Sequence, residues 1–212
     1  LNNVELSSRW YPGGGLYRPV RLILSGESAI DTWGVSITTP EVSESKATVQ
    51  AQVALREGSA DGLEAQLEVL DAGGKAVASG GRLSHTLTLD RPALWSPESP
   101  SLYTLVTRVL GGGKVIDENR TRFGVRSIAF SRENGFQLNG KTRKFKGVCL
   151  HHDLGPLGAA VNEAAISRQI RIMKDMGCDA IRTSHNMPST MMMDLCDSLG
   201  MLVMAESFDS WM

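Results

Sequence analysis

The stretch MKDMGCDAIRTSHNMPSTMMMDLCDSLGMLVMAE, Met173–Glu206, decides the fold. It opens on the end of a helical pattern: Ile166, Ile170, Met173 and Gly177 fall at i, i+4, i+7 and i+11 and share one face. Asn162 suits the N-cap of that helix and Gly177 the first position past its end. Ala180-Ile181 then begins a short strand. Met192, Leu195, Cys196 and Leu199 mark a second helix, which Gly200 stops, and Met201–Ala205 is a second apolar strand. Upstream, Phe145–Leu150 is a third short apolar run. The order is β-α-β-α-β, which predicts a parallel sheet with right-handed crossovers. The Met-rich stripe of these helices is expected to be core.

Outward from this stretch the composition changes. All nine Met lie between Met173 and Met212, and Cys149, Cys178 and Cys196 all follow residue 148. His151, His152 and His185 do too, leaving only His85 in the earlier part. That earlier part alternates with period two. Val49, Ala51, Val53 and Leu55 interleave with Gln50 and Gln52; Leu63, Ala65, Leu67 and Val69 interleave with Glu64, Gln66 and Glu68. Leu83, Leu87 and Leu89 share a face, as do Tyr103, Leu105 and Val109. Such strands have one buried side. Asp71-Ala-Gly-Gly, Gly80-Gly81 and Gly111-Gly-Gly supply the turns. The prediction is an antiparallel sandwich of about 100 residues, with His85 packed or at an edge and a boundary near Ser127–Asn134.

The chain has 212 residues, about one and a half domains at roughly 150 each. Lys plus Arg is 22 and Asp plus Glu 23, a net charge of −1, so no basic field awaits a phosphate backbone and nucleic acid is not an expected partner. No apolar run approaches the roughly 18 residues of a membrane helix. Beginning at Leu1 without a signal peptide, the start is expected to be processed, cloned or truncated. An odd cysteine count with no CxxC argues against a disulfide framework and for buried free thiols.

In parallel α/β units, chemistry collects where strands end. The first strand here runs into His151-His152-Asp153, the second into Arg182-Thr-Ser-His185-Asn186, and the third into Glu206-Ser-Phe-Asp209-Ser-Trp211. Strand alternation would send His151 and Asp153 to one side and His152 to the other, so the adjacent histidines are poorly placed to converge on zinc. Mixed donors and acceptors suit sugar hydroxyls, and Trp211 could stack under a pyranose face. Asp153, Glu206 and Asp209 are the acids at these strand ends. Glycoside hydrolysis needs two carboxylates flanking the bond.

Four stretches then carry a resemblance: Ser8-Arg-Trp-Tyr-Pro-Gly-Gly-Gly-Leu-Tyr-Arg18; Gly135-Phe-Gln-Leu-Asn-Gly140 with Lys146-Gly-Val-Cys-Leu-His-His-Asp153; Ile181-Arg-Thr-Ser-His185 through Asp197 to Met204; and Glu206-Ser-Phe-Asp-Ser-Trp211. In this order they resemble glycoside hydrolase family 2, the β-galactosidase and β-glucuronidase family, and are most similar to bacterial β-galactosidases.

The resemblance implies an immunoglobulin-like β-sandwich followed by the first part of a (β/α)8 TIM barrel, preceded by the end of a jelly-roll domain. The implied spans are 1–26 for the jelly-roll remnant, 27–128 for the sandwich and 129–212 for the incomplete barrel. It implies a fragment of a retaining β-glycosidase for terminal β-linked sugars, β-galactosides first, with β-glucuronidase or β-mannosidase, or a non-catalytic carbohydrate-binding scaffold, as alternatives. His151 and His185 match histidines that contact sugar hydroxyls, and Arg182 matches an arginine near the nucleophile. Glu206 matches an acid at the third strand end that is neither catalytic glutamate. Asp153, Asp209 and Trp211 complete the implied substrate-binding set. Both catalytic glutamates are expected beyond residue 212, so this chain alone is expected to be inactive.

Departures from the family pattern are Cys149 where many members have Asn, Asn186-Met187-Pro188 in place of Tyr-Pro, and Ala205 in place of Asp. The residues after Glu206 do not reproduce the magnesium ligands of some β-galactosidases, so no cofactor is carried over. The implied partner is a carbohydrate, with no nucleic acid and no membrane. Self-association of the full-length enzyme is compatible with this reading, as are periplasmic, secreted and cytoplasmic locations.

Overall fold

The computed structural model describes residues 15–207. Its contacts divide the chain into two compact units, 23–143 and a second made of 1–22 with 144–212.

In the first unit, β1 (Ile30–Val42), β2 (Lys46–Leu55) and β5 (Ser84–Asp90) form an antiparallel sheet in the order β1-β2-β5. β3 (Glu64–Leu70), β4 (Ala76–Gly80), β6 (Tyr103–Gly111) and β7 (Lys114–Phe123) form a second, in the order β4-β3-β6-β7. Both sheets contribute to one core: Val49, Leu87 and Leu89 come from the first, and Leu67, Val69, Leu105 and Val109 from the second. The period-two reading of β2 holds, since Ala47, Val49, Ala51 and Val53 are buried between more exposed neighbours. β6 departs from alternation: Leu105, Val106 and Thr107 are all buried, so both faces of this strand are covered at its middle. His85 is half-buried, with its ring packed over Gly80, where an added Cβ would lie 2.3 Å from it.

β8 (Ile128–Ser131), β9 (Gly135–Leu138) and β10 (Lys141–Thr142) form a small antiparallel meander. It is tied to the sandwich through Asn139. The Asn139 amide Nδ2 donates to the Trp95 carbonyl at 3.1 Å, and its Oδ1 accepts from the Ser127 N–H at 3.0 Å. Trp95 is fully buried, and the Arg126 guanidinium lies 4.4 Å from its ring centroid.

The second unit is the β-α-β-α-β array: β11 (Gly147–Leu150), α1 (Glu163–Asp175), β12 (Ala180–Thr183), α2 (Thr190–Leu199) and β13 (Leu202–Met204). The strands are parallel in the order β11-β12-β13. Asn162 caps α1, its Oδ1 accepting from the Ala165 N–H at 3.0 Å. Ser189 caps α2 by accepting from the Met192 N–H at 3.2 Å. Gly200 ends α2 in the left-handed region, at φ 76°, which costs a glycine nothing in Cβ contact. Ile166, Ile170 and Met173 of α1, with Met192 and Cys196 of α2, pack on Ile181 and Met201. The methionine stripe is core.

Burial separates the three free cysteines. Cys196 is buried, Cys178 half-buried and Cys149 exposed. The expectation of three buried thiols is corrected at Cys149, which stands on the outward parity of β11, between the half-buried Val148 and Leu150.

Of the span 1–26, residues 1–14 lie outside the described part, and 15–26 carry no strand. Within the second unit, residues 17 and 18 bond the loops after β11 and β12: the Val161 N–H donates to the Tyr17 carbonyl at 3.1 Å, and the Arg18 guanidinium donates to the Met187 carbonyl. Among the described residues no helix is long and apolar enough to cross a membrane.

Candidate active site

The three parallel strands end along one edge of their sheet. Their register sets Cys149 of β11 opposite Arg182 of β12, and Arg182 opposite Met204 of β13. One residue further on β12, Thr183 has the other parity and is buried. Its Oγ1 accepts the Glu206 N–H at 3.0 Å, which fixes the backbone just past β13.

So anchored, the Glu206 carboxylate faces two donors. Arg182 Nε–H donates to Oε1 at 2.5 Å, and His185 Nδ1–H donates to Oε2 at 2.7 Å. Arg182 Nη1 also reaches Cys149 Sγ at 3.8 Å. The His151 ring centroid lies 6.0 Å from that of His185. Its Nδ1–H donates to the Ser184 carbonyl at 3.0 Å.

Burial of Glu206 pushes its carboxyl up, but the hydrogen bonds from His185 and Arg182 outweigh this and hold it below the usual carboxylate range. Glu206 is therefore ionised at neutral pH and is the wrong kind of group for a general acid, which needs a raised pKa. The Arg182 guanidinium is shifted upward by its bonds to Glu206 and Cys149. Desolvation pushes the buried Cys196 thiol up to about 12, so it is unreactive.

The structure thus joins Arg182, His185 and Glu206 in one hydrogen-bonded cluster with His151 beside it. It places Asp153 otherwise. Asp153 Oδ1 accepts the Gly155 N–H at 2.8 Å, closing a local turn, and the residue lines a cavity of about 40 Å³ with His152, Thr183 and Ser189. The alternation expected through His151-His152-Asp153 is also corrected. β11 ends at Leu150 and His152 adopts φ 53°, so strand parity no longer applies. Burial lowers the His152 imidazole pKa. Asp209 and Trp211 lie outside the described residues.

Three contributors escaped the sequence reading: Thr183, the Ser184 carbonyl and the Cys149 thiol. Thr183 was detectable as a hydroxyl on the same parity as Ile181, whereas a carbonyl carries no side-chain signal. Among the described residues no three His, Cys, Asp or Glu side chains converge as metal ligands. Both oxygens of Glu206 are engaged by Arg182 and His185.

The chain thus has a β-sandwich followed in sequence by a parallel β-α-β-α-β array, with His151, Arg182, His185 and Glu206 at its strand ends. Residues 30–126 match the model described as Glycosyl hydrolases family 2, and residues 130–209 match the model described as Glycosyl hydrolases family 2, TIM barrel domain. The chain belongs to glycoside hydrolase family 2.

Among its relatives, Beta-galactosidase BoGH2A of Bacteroides ovatus is 40% identical over 99% of this chain and 26% of its own length. A putative beta-glucuronidase of Formosa agariphila is 40% identical over 99% of this chain and 21% of its own. A glycosyl hydrolase family 2 member from Bacteroides cellulosilyticus superposes with a TM-score of 0.92 at 41% identity, over 96% of this chain and 28% of that one. A beta-glycosidase from Bacteroides vulgatus superposes at 0.89 and 34% identity, over 96% and 27%. The chain spans about a quarter of the length of these relatives.

Proposed function

We propose that this chain is the sandwich-to-barrel part of a retaining β-glycosidase that removes terminal β-linked sugars, with β-galactosides as the preferred substrate. The observation that carries this reading is the cluster of Arg182, His185 and Glu206, flanked by His151, at three successive strand ends. These groups bind and orient sugar hydroxyls. They do not supply the chemistry, since retention needs a nucleophilic carboxylate and an acid/base carboxylate about 5–5.5 Å apart across the bond. Glu206 is held ionised by a guanidinium and an imidazole, and Asp153 closes a turn with one of its oxygens. The two catalytic glutamates belong to later barrel strands. Asp209 and Trp211 belong to the same substrate set by their place after the third strand. The partner is the carbohydrate itself.

Relatives of equal identity are named a β-galactosidase and a putative β-glucuronidase, so their names do not separate the two substrates. One observation favours galactoside over glucuronide. Within the cluster, the Arg182 guanidinium is already neutralised by Glu206, so it offers no uncompensated cation to a uronate carboxylate. The test is hydrolysis of aryl β-galactoside, β-glucuronide and β-mannoside by the full-length enzyme, with the first-formed anomer read by proton NMR. The expected result is highest kcat/KM on the galactoside with β-anomer released first. Preference for the glucuronide would replace the substrate assignment, and no turnover of any β-glycoside would overturn the reading.

A further inference from the structure

We infer that Glu206 is a positioning residue that locks Arg182 and His185 into one unit and holds the His185 proton on Nδ1, so that Nε2 is the accepting nitrogen of that ring. The inference rests on the glycosidase reading for its effect on turnover, but not for the proton's position.

The geometry makes the tautomer a consequence of one side chain. Arg182 Nη2 lies 3.4 Å from the same His185 Nδ1 that faces Glu206 Oε2 at 2.7 Å. One ring nitrogen cannot donate to a carboxylate and accept from a guanidinium at once. The shorter, charge-assisted contact decides, so Nδ1 carries hydrogen and points it at Glu206. Arg182 Nη2 is then a close neighbour of an N–H and not its donor. Two donors sit side by side because one carboxylate lies against both. Its backbone is held by buried Thr183, so the carboxylate is set by the end of β12 and not by solvent.

Exchange of the carboxylate for an amide reverses the logic. In Glu206→Gln the amide oxygen can still accept from Arg182 Nε–H, but the amide NH2 then faces His185. Both remaining neighbours of Nδ1 are donors, and the proton moves to Nε2. A sugar hydroxyl that donated to Nε2 must then turn and accept from Nε2–H, so its own hydrogen loses its acceptor and one polar pairing in the pocket is lost. That costs about 10- to 100-fold in kcat/KM. Glu206→Asp keeps the charge on a side chain one methylene shorter, so it preserves the tautomer with a smaller loss.

The experiment uses full-length protein labelled with nitrogen-15 in histidine, with the His185 signals assigned by difference against His185→Gln. In wild type, neutral His185 should show a protonated Nδ1 and an unprotonated Nε2. The pattern should invert in Glu206→Gln and persist in Glu206→Asp. Aryl β-glycoside kinetics on the same proteins should rank wild type above Glu206→Asp above Glu206→Gln. A proton on Nε2 of wild-type His185 overturns the inference even if no variant folds. So does Glu206→Gln with an unchanged tautomer, or an inverted tautomer with unchanged kcat/KM. If wild type hydrolyses no β-glycoside, the functional reading fails while the nitrogen shifts still decide the positioning role.

Discussion

His151 Nδ1–H is hydrogen-bonded to the Ser184 carbonyl at 3.0 Å, so the side chain that leaves β11 is oriented by the turn that leaves β12. The bond fixes this ring, like that of His185, with its proton on Nδ1. Two histidines on neighbouring strand ends then present the same kind of nitrogen, and their ring centroids are 6.0 Å apart.

Replacing either histidine by Ala in the full-length enzyme is expected to lower kcat/KM by ~10²-fold or more, about 2.7 kcal/mol of transition-state stabilisation. His151→Asn retains a donor in the place of Nδ1 but nothing in the place of Nε2, so it should be as impaired as Ala. Wild-type kinetics in His151→Asn would assign the residue to the Ser184 contact alone.

A polypeptide of residues 1–212 is expected to release no aglycone from aryl β-galactoside. Among the described residues its parallel sheet has three strands, β11, β12 and β13, and three strands cannot close the barrel that forms the packed interior beneath a site. Turnover comparable to that of the full barrel would mean that Asp153, Glu206 or Asp209 does the chemistry.

In the sandwich, Gly34 lies within a register jump in β1, between Ile30, which pairs with Leu55, and Val35, which pairs with Val53. A Cβ there would lie 2.6 Å from the Ala54 carbonyl oxygen and 2.8 Å from that of Asp31. Both are backbone atoms and cannot swing aside. Gly34→Ala should destabilise by about 1–3 kcal/mol, read as a lower urea midpoint at unchanged slope.

Ser189→Ala removes the acceptor for the Met192 N–H at the start of α2. The expected loss is about 1 kcal/mol. Hydrogen exchange should quicken first at the amides of Met192 and Met193, since the Met193 N–H also bonds the Ser189 carbonyl at the same end.

The pair Glu98–Arg143 gives a pH signature. Arg143 donates to both Glu98 oxygens, at 2.5 and 3.0 Å, and holds the carboxyl at about 2. A folded-state pKa below the unfolded one stabilises above the unfolded value of 4.5 and loses that contribution as pH falls toward 2. Glu98 is 63% exposed, so solvent screening keeps the effect under about 1 kcal/mol. Glu98→Gln should therefore be slightly less stable than wild type at pH 7 and indistinguishable from it at pH 2. A difference that persists at pH 2 would show that the loss is not electrostatic.

Much of the array was legible because its signals are local. Asn162 before an apolar helical stripe, Gly200 after one, and alternation at Val49, Ala51 and Val53 each act within a few residues, and the structure uses each as read. Strand β1 was not read, because its bulge interrupts the alternation with Thr32, Trp33 and Gly34. Trp33 there adopts φ 61°, a conformation that tertiary context imposes on a bulky residue. His152 misled for a related reason: it leaves the strand by a positive φ that no neighbouring residue announces.

That His151, Arg182, His185 and Glu206 would gather at one edge was determined by the sequence alone, because parallel strands joined by helices all end on the same side of their sheet. Which atoms pair at that edge was decided only by the tertiary structure. The engagement of Glu206 with Arg182 and His185, the closeness of Cys149 to Arg182, and the bond from His151 to Ser184 all depend on the register of β11, β12 and β13. Register is a relation between segments far apart in the chain. Ile181 and Met201 share one core with Ile170 and Cys196 of the two helices, and packing between segments leaves no mark within any one strand.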